Sequence, residues 1–153
     1  MKVLFVCLGN ICRSPLAEAI FNERIRQKGL LDDFQSDSCG TANYHVGDWP
    51  DDRTITCAKR NGILINHFGR QLKKEDLDRF DVILAMDGSN LQNILRLGNE
   101  SNRSKVKMMR DFDPLGKGDV PDPYYGGDKD FDNVFEILDR SIEVLIRESN
   151  KVR

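Results

Sequence analysis

Val3-Leu4-Phe5-Val6-Cys7-Leu8-Gly9-Asn10-Ile11-Cys12-Arg13-Ser14-Pro15 is the stretch on which the fold turns. Lys2 to Val6 is a short apolar run with β-branched and aromatic members, as a strand buried on both faces requires. Ser14 followed by Pro15 predicts a helix start, with a hydroxyl N-cap and a proline at the first helical position, where its missing N–H costs nothing. Residues 7–13 therefore join a strand's carboxyl end to a helix's amino end. Backbone N–H groups in such a turn lack carbonyl partners and together form a concave anion site. Gly9 lets the backbone bend without a Cβ clash, and Asn10 is the next most tolerant type for a left-handed residue. Arg13 adds a planar fork able to hold two phosphate oxygens. The helix dipole and that guanidinium favour Cys7 as a thiolate, a nucleophile beneath any phosphoryl group in the cradle. The nucleotide-binding loop G-x-x-x-x-G-K-[ST] is excluded, because no lysine follows Gly9 at that spacing.

Working outward, the 153 residues suit one domain, 1–153, with a single core large enough to stand without staples. Charged residues make up 31% and the formal net charge is -2, so no global basic field exists for nucleic acid or an anionic membrane. Any anion site must be local. Cys7, Cys12, Cys39 and Cys57, in a chain without a signal-peptide pattern or a long apolar segment, predict reduced thiols and a cytoplasmic location. No C-x2-C pair occurs and there are only two histidines, so no metal is expected, and no cofactor either.

After the loop, Leu16, Ala17, Ile20, Phe21 and Ile25 recur at helical spacing to about Lys28, and Gly29 closes that helix. Phe34 to Cys39 predicts a second, weaker strand leading into a turn-rich loop, Gly40 to Pro50. Asp51 or Asp52 caps a helix to Arg60, Gly62 to His67 is irregular, and Lys73 to Phe80 reads as a brief helix. Asp81 to Met86 is a clear strand, and Asp87 opens another helix carrying Leu91, Ile94, Leu95 and Leu97. Lys105 to Met109 is the fourth strand, Asp111 to Asp130 a long loop rich in Asp, Gly and Pro, and Phe131 to Arg147 the closing helix. Strands alternating with helices imply an α/β fold: a four-stranded parallel, doubly wound sheet with helices on both faces and the anion-binding loop after strand 1. Ligands of such sheets bind outside the strands' carboxyl ends.

The arrangement C-x5-R-S, with Cys12 inside it and Pro15 after it, resembles the active-site loop of the low-molecular-weight protein tyrosine phosphatases, and the resemblance spans essentially the whole chain. It implies hydrolysis of phosphotyrosine through a phosphocysteine on Cys7, with residues 8–14 (Leu8, Gly9, Asn10, Ile11, Cys12, Arg13, Ser14) as the phosphate-binding loop. Expulsion of a phenolate needs a proton donor. In Val120-Pro121-Asp122-Pro123-Tyr124-Tyr125 two prolines stiffen the backbone around Asp122, and the family's equivalent Asp-Pro-Tyr motif carries the general acid. Asp122 is thus the expected acid, and later the base that activates water. The same resemblance implies that Ser14 donates to the Cys7 thiolate and that Ser38 and His67 hold Asn10. Asp87 is expected as a structural, capping carboxylate. Leu8, Trp49, Tyr124 and Tyr125 are expected to wall a slot for a phenyl ring. The expected partners are phosphotyrosine proteins or small aryl phosphates, with inorganic phosphate or a similar oxyanion as loop occupant. Cys12 is placed to trap an oxidised Cys7 as a disulfide, which would make the enzyme redox-sensitive.

Two related activities compete. An arsenate reductase passes oxidation through further downstream cysteines, and Val82 to Asn90, where they would stand, has none. A protein-arginine phosphatase resembles this loop but carries threonine where Ile11 stands, so Ile11 favours tyrosine. A phosphopeptide-binding module would need the cradle without Cys7 or Asp122.

Overall fold

The computed structural model describes residues 1–151. Its strands β1 (Lys2–Cys7), β2 (Gln35–Gly40), β3 (Val82–Ala85) and β4 (Val106–Met108) are all parallel, in the order β2-β1-β3-β4. Helices α1 (Arg13–Gln27), α2 (Asp52–Arg60), α3 (Asp76–Arg79), α4 (Gly88–Leu97) and α5 (Asp128–Lys151) complete the doubly wound fold expected from the sequence.

Alternation along β1 explains the two layers. Val3 and Phe5 face a core shared with Leu16, Ile20 and Phe21 of α1, Cys57 and Ala58 of α2, and the apolar stripe of α5. Leu4 and Val6 point the other way, onto Leu77, Phe80 and Ile94. Since Val3 to Val6 of β1 are completely buried on both faces, their continuous hydrophobicity is a requirement of position. Helix α1 leaves β1 toward one face and α4 leaves β3 toward the other. The crevice between these neighbouring strand ends is the topological switch point at which ligands of such sheets bind.

Several boundaries differ from the sequence reading. Helix α1 begins at Arg13, with Cys12 in the cap position and no side-chain cap. Ser14 does not cap, because its hydroxyl is turned back to Cys7 and Asn10. Pro15 is still tolerated, since N–H groups of the first helical turn have no partner within the helix. The expected helix from Lys73 shrinks to the single turn of α3, where the Asp76 carboxylate accepts from Lys73 N and Arg70. Asn99 and Asn102 close a capping box on a 3-10 turn, Glu100–Lys105, just before β4. Helix α5 starts within the expected loop, because Asp130 turns back to accept from Gly127 N.

Candidate active site

The cradle lies between β1 and α1. Asn10, at φ 58°, is the one non-glycine residue with positive φ among the described residues, and it reverses the chain so that the loop closes over the strand end. Three side chains hold it there. Asn10 Nδ2 donates to Ser14 Oγ at 2.7 Å and to Ser38 Oγ at 3.1 Å, while its Oδ1 accepts from His67 Nε2 at 2.7 Å and from Arg70 N at 3.0 Å. Gly40 lets the loop sit tight on β2: a Cβ there would lie 2.6 Å from Leu8 O. Among the described residues, no backbone carbonyl accepts from the N–H groups of residues 8–12, which remain to bind an anion.

Cys7, 3% exposed, has its sulfur 3.0 Å from Ser14 Oγ. Because Asn10 donates to that hydroxyl, the serine proton is free to point at the sulfur. Arg13 is as deeply buried as Cys7, and its Nη1 is fixed by Asp87 Oδ2 at 2.8 Å and Val120 O at 3.0 Å. Burial opposes the charge on Arg13, but Cys7 and Asp87 outweigh it and keep the guanidinium protonated. Asp87 was expected as a structural, capping carboxylate. It does cap α4, accepting from Asn90 N, and its other oxygen orients Arg13. Asp122 Oδ2 is 3.8 Å from Arg13 Nη2, above the loop and half exposed. Burial pushes the Cys12 thiol up to about 12, so Cys12 is a protonated neighbour of Cys7.

Behind the loop lies a titratable pair. Asn10 uses its amide nitrogen as donor to two hydroxyls, so Oδ1 must be the acceptor and His67 carries its proton on Nε2. His67 Nδ1 faces Glu18 Oε1 at 3.2 Å. Burial pushes the Glu18 carboxyl up to about 7 and pushes His67 down, so near neutrality Glu18 is about half protonated and faces a neutral imidazole. Glu18 is also the acceptor for Ser38 Oγ at 2.6 Å. With Asp37 these residues bring ligand atoms within 4.8 Å of one another, the group among the described residues best placed to hold a metal ion. The carboxylate oxygens are already engaged, Glu18 Oε1 by Ser38 Oγ and Asp37 by Ser38 N and Arg70 Nε, and His67 is held through Nε2 by Asn10, which fits a structural network better than an ion. Sequence reading found Ser38 and His67 but missed Glu18, Asp37 and Arg70. A carboxylate within the apolar stripe of α1 was the available signal.

The cavity above Cys7 has a volume of about 340 Å³. Cys7, Cys12 and Arg13 form its floor, Leu8, Gly9 and Ile11 one side, Asp122, Tyr124 and Tyr125 another, and Tyr44 and His45 the third. Trp49, expected in this wall, does not line it. It stacks on Phe68 with ring centroids 4.3 Å apart, because Gly47 and Asp48 pair with Gly69 and draw the two rings together. A larger hollow of about 540 Å³ beside α1, opening on Glu18 and His67, is lined by no cysteine.

The family model "Low molecular weight phosphotyrosine protein phosphatase" matches residues 2–153. The chain belongs to that family. It is 47% identical over 148 residues to the low molecular weight phosphotyrosine protein phosphatase of Schizosaccharomyces pombe, covering 95% of each chain. A solved protein tyrosine phosphatase from Entamoeba histolytica, with Hepes in its active site, superposes with a TM-score of 0.97 at 40% identity, covering 99% of this chain and 98% of that one. A Drosophila arginine phosphatase superposes with a TM-score of 0.90 at 33% identity, covering 97% and 98%. Family membership makes the protein a cysteine phosphatase of the protein-tyrosine class.

Proposed function

We propose that the protein hydrolyses phosphotyrosine side chains and small aryl phosphates through a phosphocysteine on Cys7. The observation that carries this reading is a single cavity holding a buried cysteine, a charged arginine pinned beside it and an aspartate at the rim. The loop amides and Arg13 bind the three non-bridging oxygens. The Cys7 sulfur attacks phosphorus, the bond to the phenolic oxygen breaks, and Asp122 gives its proton to that oxygen. The Asp122 carboxylate then takes a proton from water, the water oxygen attacks phosphorus, and the S–P bond breaks. Ser14 stabilises the thiolate that departs, and inorganic phosphate leaves.

Residues 1–153 act as one domain in this reading, and the free thiols suit a reducing compartment such as the cytoplasm. Among the described residues, no helix is long and apolar enough to cross a membrane. Turnover of para-nitrophenyl phosphate in the presence of a chelator tests the reaction. Cys7→Ser should abolish it while inorganic phosphate still binds; measurable turnover by that variant would overturn the covalent route.

A further inference from the structure

Arg53 contacts none of the reacting atoms, yet its whole guanidinium is committed. Nε and Nη2 pair with Asp51 Oδ1 and Oδ2, both at 3.0 Å. Nη2 also donates to Tyr124 O at 2.9 Å and Nη1 to Gly126 O at 3.2 Å. Its carbon lies 4.8 Å from the ring centroid of Phe131 and 5.5 Å from that of Tyr124. The segment gripped in this way bears the acid: Tyr124 N donates to Asp122 Oδ1 at 3.1 Å. Tyr124 thus has its amide on the acid and its carbonyl on Arg53. On the far side, Asp51 N donates to Ile11 O in the phosphate loop at 2.9 Å. Among the described residues, the hydrogen bonds that tie residues 121–127 to an element before them in the chain all come from Arg53.

We infer that Asp51 and Arg53 form a strap that sets Asp122 over the phosphate loop, making Arg53 a positioning residue for proton transfer to the leaving group. The inference rests on Asp122 being the acid. Proton transfer demands hydrogen-bond distance to the leaving oxygen, and Asp122, half exposed on a loop, has few other restraints. A planar fork suits this role, since Arg53 makes four hydrogen bonds, two of them as a bidentate pair with Asp51, where an ammonium has three donors on one nitrogen. The Asp51 carboxylate neutralises the fork, so the strap adds little net charge to the phosphate site. Arg53 in turn holds Asp51 below the usual carboxylate range, which keeps the strap ionised across the working pH range.

The test is a leaving-group series in Arg53→Lys and Arg53→Ala, with Asp122→Asn as reference and kcat/KM as readout, because that ratio reports formation of the phosphocysteine. With phenyl phosphate, whose phenol is weakly acidic, both Arg53 variants should lose about tenfold or more, and with 2,4-dinitrophenyl phosphate less than about twofold. Inhibition by inorganic phosphate should be unchanged. Equal losses on both substrates, or none, would overturn the strap, and Arg53→Lys decides the matter if the alanine variant does not fold. Should Asp122→Asn show the leaving-group dependence while neither Arg53 variant does, the strap alone fails. Should Asp122→Asn lack it, the acid assignment fails.

Discussion

His67 Nε2 and Asn10 Oδ1 meet at 2.7 Å, so a histidine 57 residues away in sequence holds the one left-handed non-glycine residue of the phosphate loop. Asn10→Ala removes every side-chain bond at that position and leaves a Cβ residue in the left-handed region. A loss of about 2–4 kcal/mol in stability is expected, together with weaker phosphate inhibition. Asn10→Gly, free of the backbone strain, should lose less stability but as much phosphate affinity. Urea unfolding and phosphate competition measure the two effects; wild-type phosphate affinity in both variants would show that the side chain does not shape the loop.

The Glu18 carboxyl gives a pH signature of its own. Its folded value, about 7, lies above its usual 4.5, so the folded state binds the extra proton and this contribution is fully present below about pH 4.5 and lost as pH rises through 7. His67, pushed down by burial, works the opposite way below its usual value of 6.5. Glu18→Gln removes the first effect. The stability of wild type relative to this variant should therefore increase by more than about 1 kcal/mol from pH 7.5 to 4.5. A difference flat with pH would place the proton elsewhere.

Asp113 supplies the acid-side limit. Its oxygens accept from Arg110 Nε at 2.9 Å and from Arg140 Nε at 2.8 Å, fastening the segment after β4 to α5. Burial alone would raise its pKa, but hydrogen bonds from Arg140, Leu115 and Arg110 prevail and bring it to about 2. Stability from this group is present above its usual value of 3.8 and lost as pH falls through 2. Asp113→Asn should cost about 2 kcal/mol at pH 6 and progressively less toward pH 2, read from denaturant midpoints.

These predictions divide along the line between what sequence displays and what it hides. Cys7 and Arg13 were legible because a strand pattern, a turn and a helix start adjoin them, whereas the local pattern read Ser14 as a cap and only the resemblance implied its place beside Cys7. Asp122 was legible through its flanking prolines and its motif. Glu18, Asp37 and Arg53 were not, because each acts through a partner that chain reversal brings close. Arg53 and Tyr124 are 71 residues apart, and nothing in Asp-Asp-Arg-Thr distinguishes a strap from an ordinary helix start. Trp49 was misplaced for the same reason: a polar loop does not announce that it will pair with Gly69 and hand the indole to Phe68. The start of α5 at Asp128 was hidden by an aspartate run that reads as loop until Asp130 is seen capping it.

Substrate choice follows from depth. Cys7 and Arg13 are nearly inaccessible at the floor of the cavity, while Leu8 and Tyr124, each about two-fifths exposed, stand higher on its walls. A phosphate on the short stem of serine or threonine would bring peptide backbone against this rim before its oxygens reached Arg13. A phenyl spacer reaches the floor, and contact with an aromatic wall adds about 0.5–1.5 kcal/mol beyond simple burial. Chemistry acts in the same direction, since an alkoxide leaves less readily than a phenolate and demands more of Asp122. Fold does not exclude phosphoarginine, because the Drosophila arginine phosphatase shares it closely. The side chain expected to discriminate is Ile11, whose branched apolar body lines the cavity, whereas the resemblance to protein-arginine phosphatases implies threonine at that place. Phosphotyrosine peptides should therefore exceed phosphoserine, phosphothreonine and phosphoarginine peptides of one sequence by more than about tenfold in kcat/KM, a difference of about 1.4 kcal/mol. Ile11→Thr should shift the ratio toward phosphoarginine without raising activity on phosphoserine. Equal kcat/KM for phosphoserine and phosphotyrosine would sink the argument from depth, and a wild-type preference for phosphoarginine would assign the slot to a guanidinium instead of a phenol.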